Sequence, residues 1–261
     1  MSIQLAVIGG GNMARAIIDG AIAGNVLTGD EIAVADPDQE ALNHFKNQGC
    51  ETYTCASELP AVTHVLLAVK PQTFEEIAGN VHGEVVYSIM AGVTIKNIVQ
   101  ATSANRVVRI MPNLPCSVGF GVAGIARSKE ASHEDASLAN ALFSSIGVVV
   151  DVDESLMDAV TAVSGSGPAY VFLLAEAMLK GAIDAGLEPV SADILVRQTI
   201  RGAAELLIRD GRTASELKTD VTSKGGTTAA ALDVMQSAGI KEVIATAIVA
   251  ARNRGRELGS S

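Results

Sequence analysis

The chain has 261 residues, with 29 acidic against 19 basic side chains, a formal charge of −10 and a pI near 4.9, so it lacks the positive surface that a nucleic-acid partner requires. Residues are 48% hydrophobic but 3% aromatic, Trp is absent and mean hydropathy is +0.33, which gives an aliphatic core on a chain long enough for one large or two modest domains. Three cysteines, Cys50, Cys55 and Cys116, form no C-x-x-C pair and exclude a disulfide framework, which fits a reducing, cytoplasmic setting.

From the N-terminus the chain enters an apolar run with no basic leader, so no signal peptide is expected. No apolar stretch approaches the roughly 20 residues of a membrane span without Gly, Pro or charge, and no membrane is expected either. Short Val/Ile/Leu-rich runs predict strands at Ile3–Ile8, Glu31–Asp36, Val65–Val69, Val85–Met90, Arg106–Met111, Gly121–Arg127 and Val148–Val152. Helical patterns fall between them at Met13–Ala23, Asp38–Gln48, Thr73–Ala78 and Glu134–Ser145, the first closed by Gly24-Asn25 as a C-cap. Near-continuous apolar strands alternating with helices imply a parallel sheet covered on both faces.

The first strand runs into Gly9-Gly10-Gly11-Asn12-Met13-Ala14, a G-x-G-x-x-A in the place a dinucleotide fingerprint needs. Gly9 permits the tight turn, Gly11 lets backbone approach a pyrophosphate, and Ala14 keeps the helix close to the sheet. Asp36 ends the second strand, where a carboxylate accepts from the adenosine ribose hydroxyls and favours NADH over a 2′-phosphorylated cofactor. Residues 1–152 therefore read as a Rossmann-type dinucleotide-binding domain of an α/β protein. Lys70-Pro71 and Ala91-Gly92 follow strands three and four, at the carboxyl ends where open α/β sheets bind ligands; Lys70 would need desolvation to act as a base.

Past Asp153 strands give way to Ala-rich helical patterns, with the boundary near Asp151–Glu154 and an all-α dimerisation domain over residues 153–261. Ala169–Ala185, Ser191–Asp210 and Lys241–Glu257 are apolar around most of their circumference. About 110 residues cannot bury so much apolar surface alone, which points to a homodimer. Arg252, Arg254 and Arg256 complement the dipole at the end of the last helix.

Two glycine-rich interruptions lie in this domain. Ser164-Gly165-Ser166-Gly167-Pro168-Ala169-Tyr170 puts proline at a predicted first helical position, and Thr222-Ser223-Lys224-Gly225-Gly226-Thr227-Thr228 precedes a helix at Ala229–Gln236. Exposed N–H groups beside small hydroxyls suit a carboxylate, and they serve equally as elaborate N-caps. His44, His64, His82 and His133 show no i,i+4 or H-E-x-x-H spacing, so no metal is expected.

Gly9–Ala14, Ala68–Pro71, Ala91–Thr94, Arg106–Pro115, Asp158–Tyr170 and Leu217–Thr228 together resemble pyrroline-5-carboxylate reductases, across both domains. The resemblance implies NAD(P)H-dependent reduction of 1-pyrroline-5-carboxylate to L-proline by domain-interlocked dimers, which in many members assemble into larger oligomers, with substrate bound between the dinucleotide and helical domains. It implies that Ile8, Gly9, Gly10, Gly11, Asn12, Met13, Asp36, Ala68, Val69, Lys70, Pro71, Met90, Ala91 and Gly92 line the NADPH or NADH cofactor. Ser223, Gly225, Gly226, Thr227 and Thr228 then hold the substrate, Thr228 acting as catalytic donor to the ring nitrogen. Lys224 stands where many members have proline, and Asp36 where members often carry Ser or an Asn-Arg pair. The alternatives are a β-hydroxyacid-type dehydrogenase, whose basic residue would be Lys180, and a non-catalytic dinucleotide sensor, which has no use for both glycine-rich stretches.

Overall fold

In a computed structural model, which describes residues 2–259, eight strands form one sheet. They are β1 (Leu5–Ile8), β2 (Ile32–Ala35), β3 (Glu51–Tyr53), β4 (Val62–Leu67), β5 (Gly83–Ser88), β6 (Arg106–Met111), β7 (Gly121–Arg127) and β8 (Gly147–Asp151), in the order β3-β2-β1-β4-β5-β6-β7-β8. The strands from β1 to β6 are parallel, with Ile8 paired to Ala35 on one side and Leu67 on the other. The chain reverses its order across the sheet at β1, which places the switch point between β1 and β4, where such sheets bind ligands. The parallel expectation fails at one pair: β7 runs antiparallel to β6. The link from Pro112 to Phe120 is shorter than the dozen or so residues a parallel crossover needs. By contrast β8 returns parallel to β7 through a helix.

Helices α1 (Asn12–Ala23), α2 (Gln39–Asn47), α3 (Phe74–Ile77), α4 (Ile95–Thr102) and α5 (Ser137–Ser144) accompany the sheet. Gly24 caps α1 as expected, with Asn25 after it left-handed at φ 54°. Two features depart from the sequence reading. The stretch Thr73–Ala78 is a 3₁₀ turn, Pro71–Thr73, followed by the single helical turn of α3. Neither α4 nor β3 was anticipated: α4 starts on Thr94, whose hydroxyl accepts from the Asn97 N–H at 3.2 Å, and β3 is a short, partly exposed edge strand with no apolar run.

Alternation along β1 divides the core. Leu5 and Val7 pack with Ile17, Phe45 and Tyr87 on one face, Ala6 and Ile8 with Leu67, Val86 and Ile98 on the other. Tyr87 satisfies its hydroxyl on the Asp135 carbonyl at 2.7 Å, and burial pushes its phenol pKa up. Burial likewise pushes the Cys50 thiol up to about 11 and raises Cys116; both are free cysteines.

The remaining helices are α6 (Met157–Val160), α7 (Gly167–Asp184), α8 (Pro189–Arg209), α9 (Ala214–Asp220), α10 (Thr227–Ser237) and α11 (Ile240–Gly259). The chain divides into two compact units, one running to Pro168 and taking in the chain from Val249, the other Ala169–Ile248. Within Ala169–Ile248 the buried side chains are Ala192 and Val196. Phe172, Leu173, Leu195, Ile208, Val234 and Val243 are all exposed, Ile208 by 79%. Each such side chain is worth about 1.5–3 kcal/mol when fully buried, so this unit has no core of its own and needs a second surface to cover it. The run Glu154–Asp184 is long and apolar enough to cross a membrane by length and composition, but Gly165, Gly167 and Pro168 interrupt it. Sedimentation over a wide dilution series should show no folded species smaller than a dimer; a stable folded monomer would contradict this burial argument.

Candidate active site

The glycine turn is built by proximity to β4. Gly9 sits at φ 103°, and a Cβ there would lie 2.6 Å from the Ala68 carbonyl oxygen, so both conformation and space demand glycine. Gly10 donates its N–H to Asp36 Oδ2 at 2.6 Å, and the Asp38 N–H donates to Asp36 Oδ1 at 2.8 Å. This pair of bonds fixes the carboxylate against the turn and leaves each oxygen a further lone pair. A Cβ on Gly11, the residue before α1, would meet nothing within 4 Å.

That open space adjoins a cleft of about 320 Å³ lined by Gly11, Asn12, Met13, Ala68, Val69, Lys70, Pro71, Met90 and Ala91. Nine of the expected cofactor residues thus come together. Ile8 is buried at the end of β1, Gly9 and Gly10 form the turn, and Asp36 flanks it through Gly10. Gly92, at φ 77°, lies instead in a separate depression of about 290 Å³ with Thr94, Arg109, Asp158 and Arg256. Ile89, Met111 and Pro112 also line the cleft and were not assigned from sequence, although Met111 and Pro112 follow directly from the carboxyl-end rule applied to β6.

These features fit a dinucleotide. No acidic side chain occupies the first turn of α1, so its free N–H groups and positive dipole end face the space beside Gly11, where a pyrophosphate would be held. Met90, Met111, Val69 and Pro112 give the other end apolar walls suited to a nicotinamide ring.

The two glycine-rich stretches differ. The first is no open helix start: Thr161–Gly165 forms a π-helical turn in which Ser166 N–H donates to the Thr161 carbonyl at 2.8 Å and the Ser164 hydroxyl to the Val160 carbonyl at 2.8 Å. Pro168 is the second residue of α7, not the first. The second stretch is open. Gly225 turns at φ 71°, Gly226 N–H donates to the Ser223 carbonyl at 3.0 Å, and α10 begins at Thr227 with no side-chain cap. Thr228 is therefore inside the first turn of α10 rather than its N-cap, which removes the capping role for its hydroxyl. Lys180 is exposed and paired to Asp184 at 2.5 Å on the same helix, so it faces an ion-pair partner at the surface rather than an enclosed site.

Comparison with known proteins agrees with this geometry. The family model described as pyrroline-5-carboxylate reductase dimerisation matches residues 154–258, and one described as NADP oxidoreductase, coenzyme F420-dependent, matches residues 4–92. Pyrroline-5-carboxylate reductases of Synechocystis and Methanosarcina acetivorans are 41% and 38% identical, covering 99% and 98% of both chains. Among solved structures, the pyrroline-5-carboxylate reductase of Coxiella burnetii aligns with a TM-score of 0.91 at 34% identity over 100% of both chains. The Plasmodium falciparum pyrroline carboxylate reductase with NADP bound aligns at 0.87 and 28% identity over 98% of both.

The glycines make a contrasting pair of tests. Gly11→Ala should leave the thermal midpoint nearly unchanged and weaken NAD(P)H binding by roughly 10- to 100-fold, because the added methyl takes up the phosphate space. Gly9→Ala should instead lower the midpoint, through strain at positive φ and the clash with Ala68. Calorimetry on both variants, with and without cofactor, checks this.

Proposed function

The chain belongs to the pyrroline-5-carboxylate reductase family, and from that premise we infer that it reduces 1-pyrroline-5-carboxylate to L-proline with NAD(P)H, the last step of proline biosynthesis. The reduced nicotinamide supplies a hydride to C5 of the ring. The observation that carries the reading of the substrate site is the uncapped start of α10, where small residues leave N–H groups and hydroxyls free.

A protonated cyclic imine is already electrophilic, so the chain has to orient it and compensate its charges rather than remove a proton. Ser223, Gly225, Gly226 and Thr227 hold the carboxylate at the positive end of α10, Gly225 and Gly226 by shaping the turn and the others through hydroxyls and backbone N–H groups. Thr228 donates its hydroxyl to the ring nitrogen as the C=N π electrons become a nitrogen lone pair. Met90, Met111, Val69 and Pro112 keep water from the nicotinamide end of the cleft. This chemistry needs no general base, which suits a chain whose Lys180 is tied in a surface ion pair.

The same reading assigns dinucleotide binding to residues 1–152 and substrate binding with dimerisation to residues 153–261. It makes the protein a homodimer that assembles further, in the cytoplasm, with no nucleic-acid or membrane partner. The formal charge of −10 repels phosphate polymers, and the apolar faces of Glu154–Asp184 are covered by a second chain rather than by lipid.

Thr228→Val keeps the side-chain shape and deletes the donor. The expected result is a fall in kcat/KM of roughly 10- to 100-fold with NAD(P)H affinity and thermal midpoint nearly constant. Normal turnover would remove Thr228 from the site. Asp36→Ser should raise kcat/KM with NADPH relative to NADH by about tenfold, through lost repulsion of a 2′-phosphate. Both cofactors should bind less well in that variant, because Gly10 loses its acceptor; the ratio is the decisive quantity, and an unchanged ratio would show that Asp36 does not face the ribose.

A further inference from the structure

The stretch Arg106–Pro115 carries a side chain that neither cofactor nor substrate binding accounts for. Asn113 is 8% exposed and uses both ends of its amide. Its Oδ1 accepts from the Val122 N–H at 3.0 Å and, weakly, from Cys116 Sγ at 3.9 Å, while its Nδ2 donates to the Ser164 carbonyl at 3.1 Å. The Ser164 carbonyl lacks the partner a continuous helix would give it, because the residue four positions on is Pro168, which has no N–H. Ser164 is half-buried, and the Asn113 amide supplies its carbonyl with a donor from across the chain.

Both ends of this link adjoin the proposed reaction site. Met111 and Pro112, immediately before Asn113, line the cofactor cleft beside Met90 and Ala91. A Cβ on Gly165, next to Ser164, would lie 2.9 Å from Met111 Cε, so the π-helical turn packs directly against that wall. π-Helical turns inside α-helices concentrate at functional sites.

We propose that Asn113 is a positioning residue for hydride transfer: by clamping Ser164 to β7 (through Val122) it fixes the Met111–Pro112 wall and so the attitude of the nicotinamide. The proposal rests on the function inferred above. Loss of the clamp shifts the wall without removing any group that touches cofactor or substrate, so it acts on kcat more than on KM or cofactor affinity.

Asn113→Asp keeps the acceptor for Val122 and places a carboxylate oxygen against the Ser164 carbonyl. The expected result at neutral pH is a fall in kcat of roughly 10- to 100-fold, with the Kd of NAD(P)H and the KM for the imine changed by less than about threefold. The loss should shrink as pH falls, because the introduced carboxyl group, once protonated, again offers a donor to the carbonyl. Asn113→Ala, which buries no charge, should lose kcat with no such pH dependence relative to the parent protein. The emission of bound NADH, read without turnover, should shift in both variants. A lower thermal midpoint with parental kcat and parental NADH emission would overturn the proposal, as would a pH-independent loss in Asn113→Asp. Failure of the parent protein to oxidise NAD(P)H with pyrroline-5-carboxylate would sink the functional reading instead, and the NADH emission would still decide the role of Asn113.

Discussion

Apolar surface that one chain cannot cover is the constraint on which the rest of this protein depends. The sheet unit builds an aliphatic core on both faces of its central strands, with Leu5, Val7, Ile17 and Leu66 fully enclosed. The helical unit does the opposite and encloses only Ala192 and Val196 among its described residues. Such a unit needs a second surface to cover it, in keeping with the dimerisation model that matches residues 154–258. The stretch proposed to bind substrate, Ser223–Thr228, lies in that unit, so on that proposal assembly and catalysis are coupled through hydrophobic burial.

Within the sheet unit a second constraint operates at shorter range. The approach of Gly9 to the Ala68 carbonyl brings the fingerprint turn and the loop after β4 to one cleft, and Asp36 locks the turn by taking the Gly10 N–H. Small residues make the space and backbone N–H groups fill it with positive potential. The same economy recurs at Gly225–Thr228, where a helix start is left uncapped. Apart from Asp36, which locks the turn, neither place relies on a charged side chain, in keeping with a reaction whose electrophile arrives activated.

Much of this was legible in the sequence because glycine and proline spacing report backbone geometry directly. G-x-G-x-x-A between a strand and a helix predicted the turn before α1, and the carboxyl-end rule picked out Lys70-Pro71 and Ala91, which line the same cleft as Gly11. The misses share a cause: they depend on chain connectivity or on distant partners. The antiparallel β7 follows from the shortness of the link after Pro112, and β3 is recognisable only by its pairing with β2. Ser164–Pro168 looked like an open helix start, yet its N–H groups close a π-helical turn. The role of Asn113 could not be read locally, since its partners Val122 and Ser164 lie far along the chain. Gly92, expected beside the cofactor at the carboxyl end of its strand, has a left-handed φ and lines the depression beside Arg109.

The claim that this chain performs imine reduction without a general base is tested most directly by following NAD(P)H oxidation with pyrroline-5-carboxylate and identifying the product by chiral chromatography. The account predicts one L-proline for each NAD(P)H consumed. Absence of oxidation with the imine, or oxidation of a β-hydroxy acid by NAD(P)+ in its place, would contradict it.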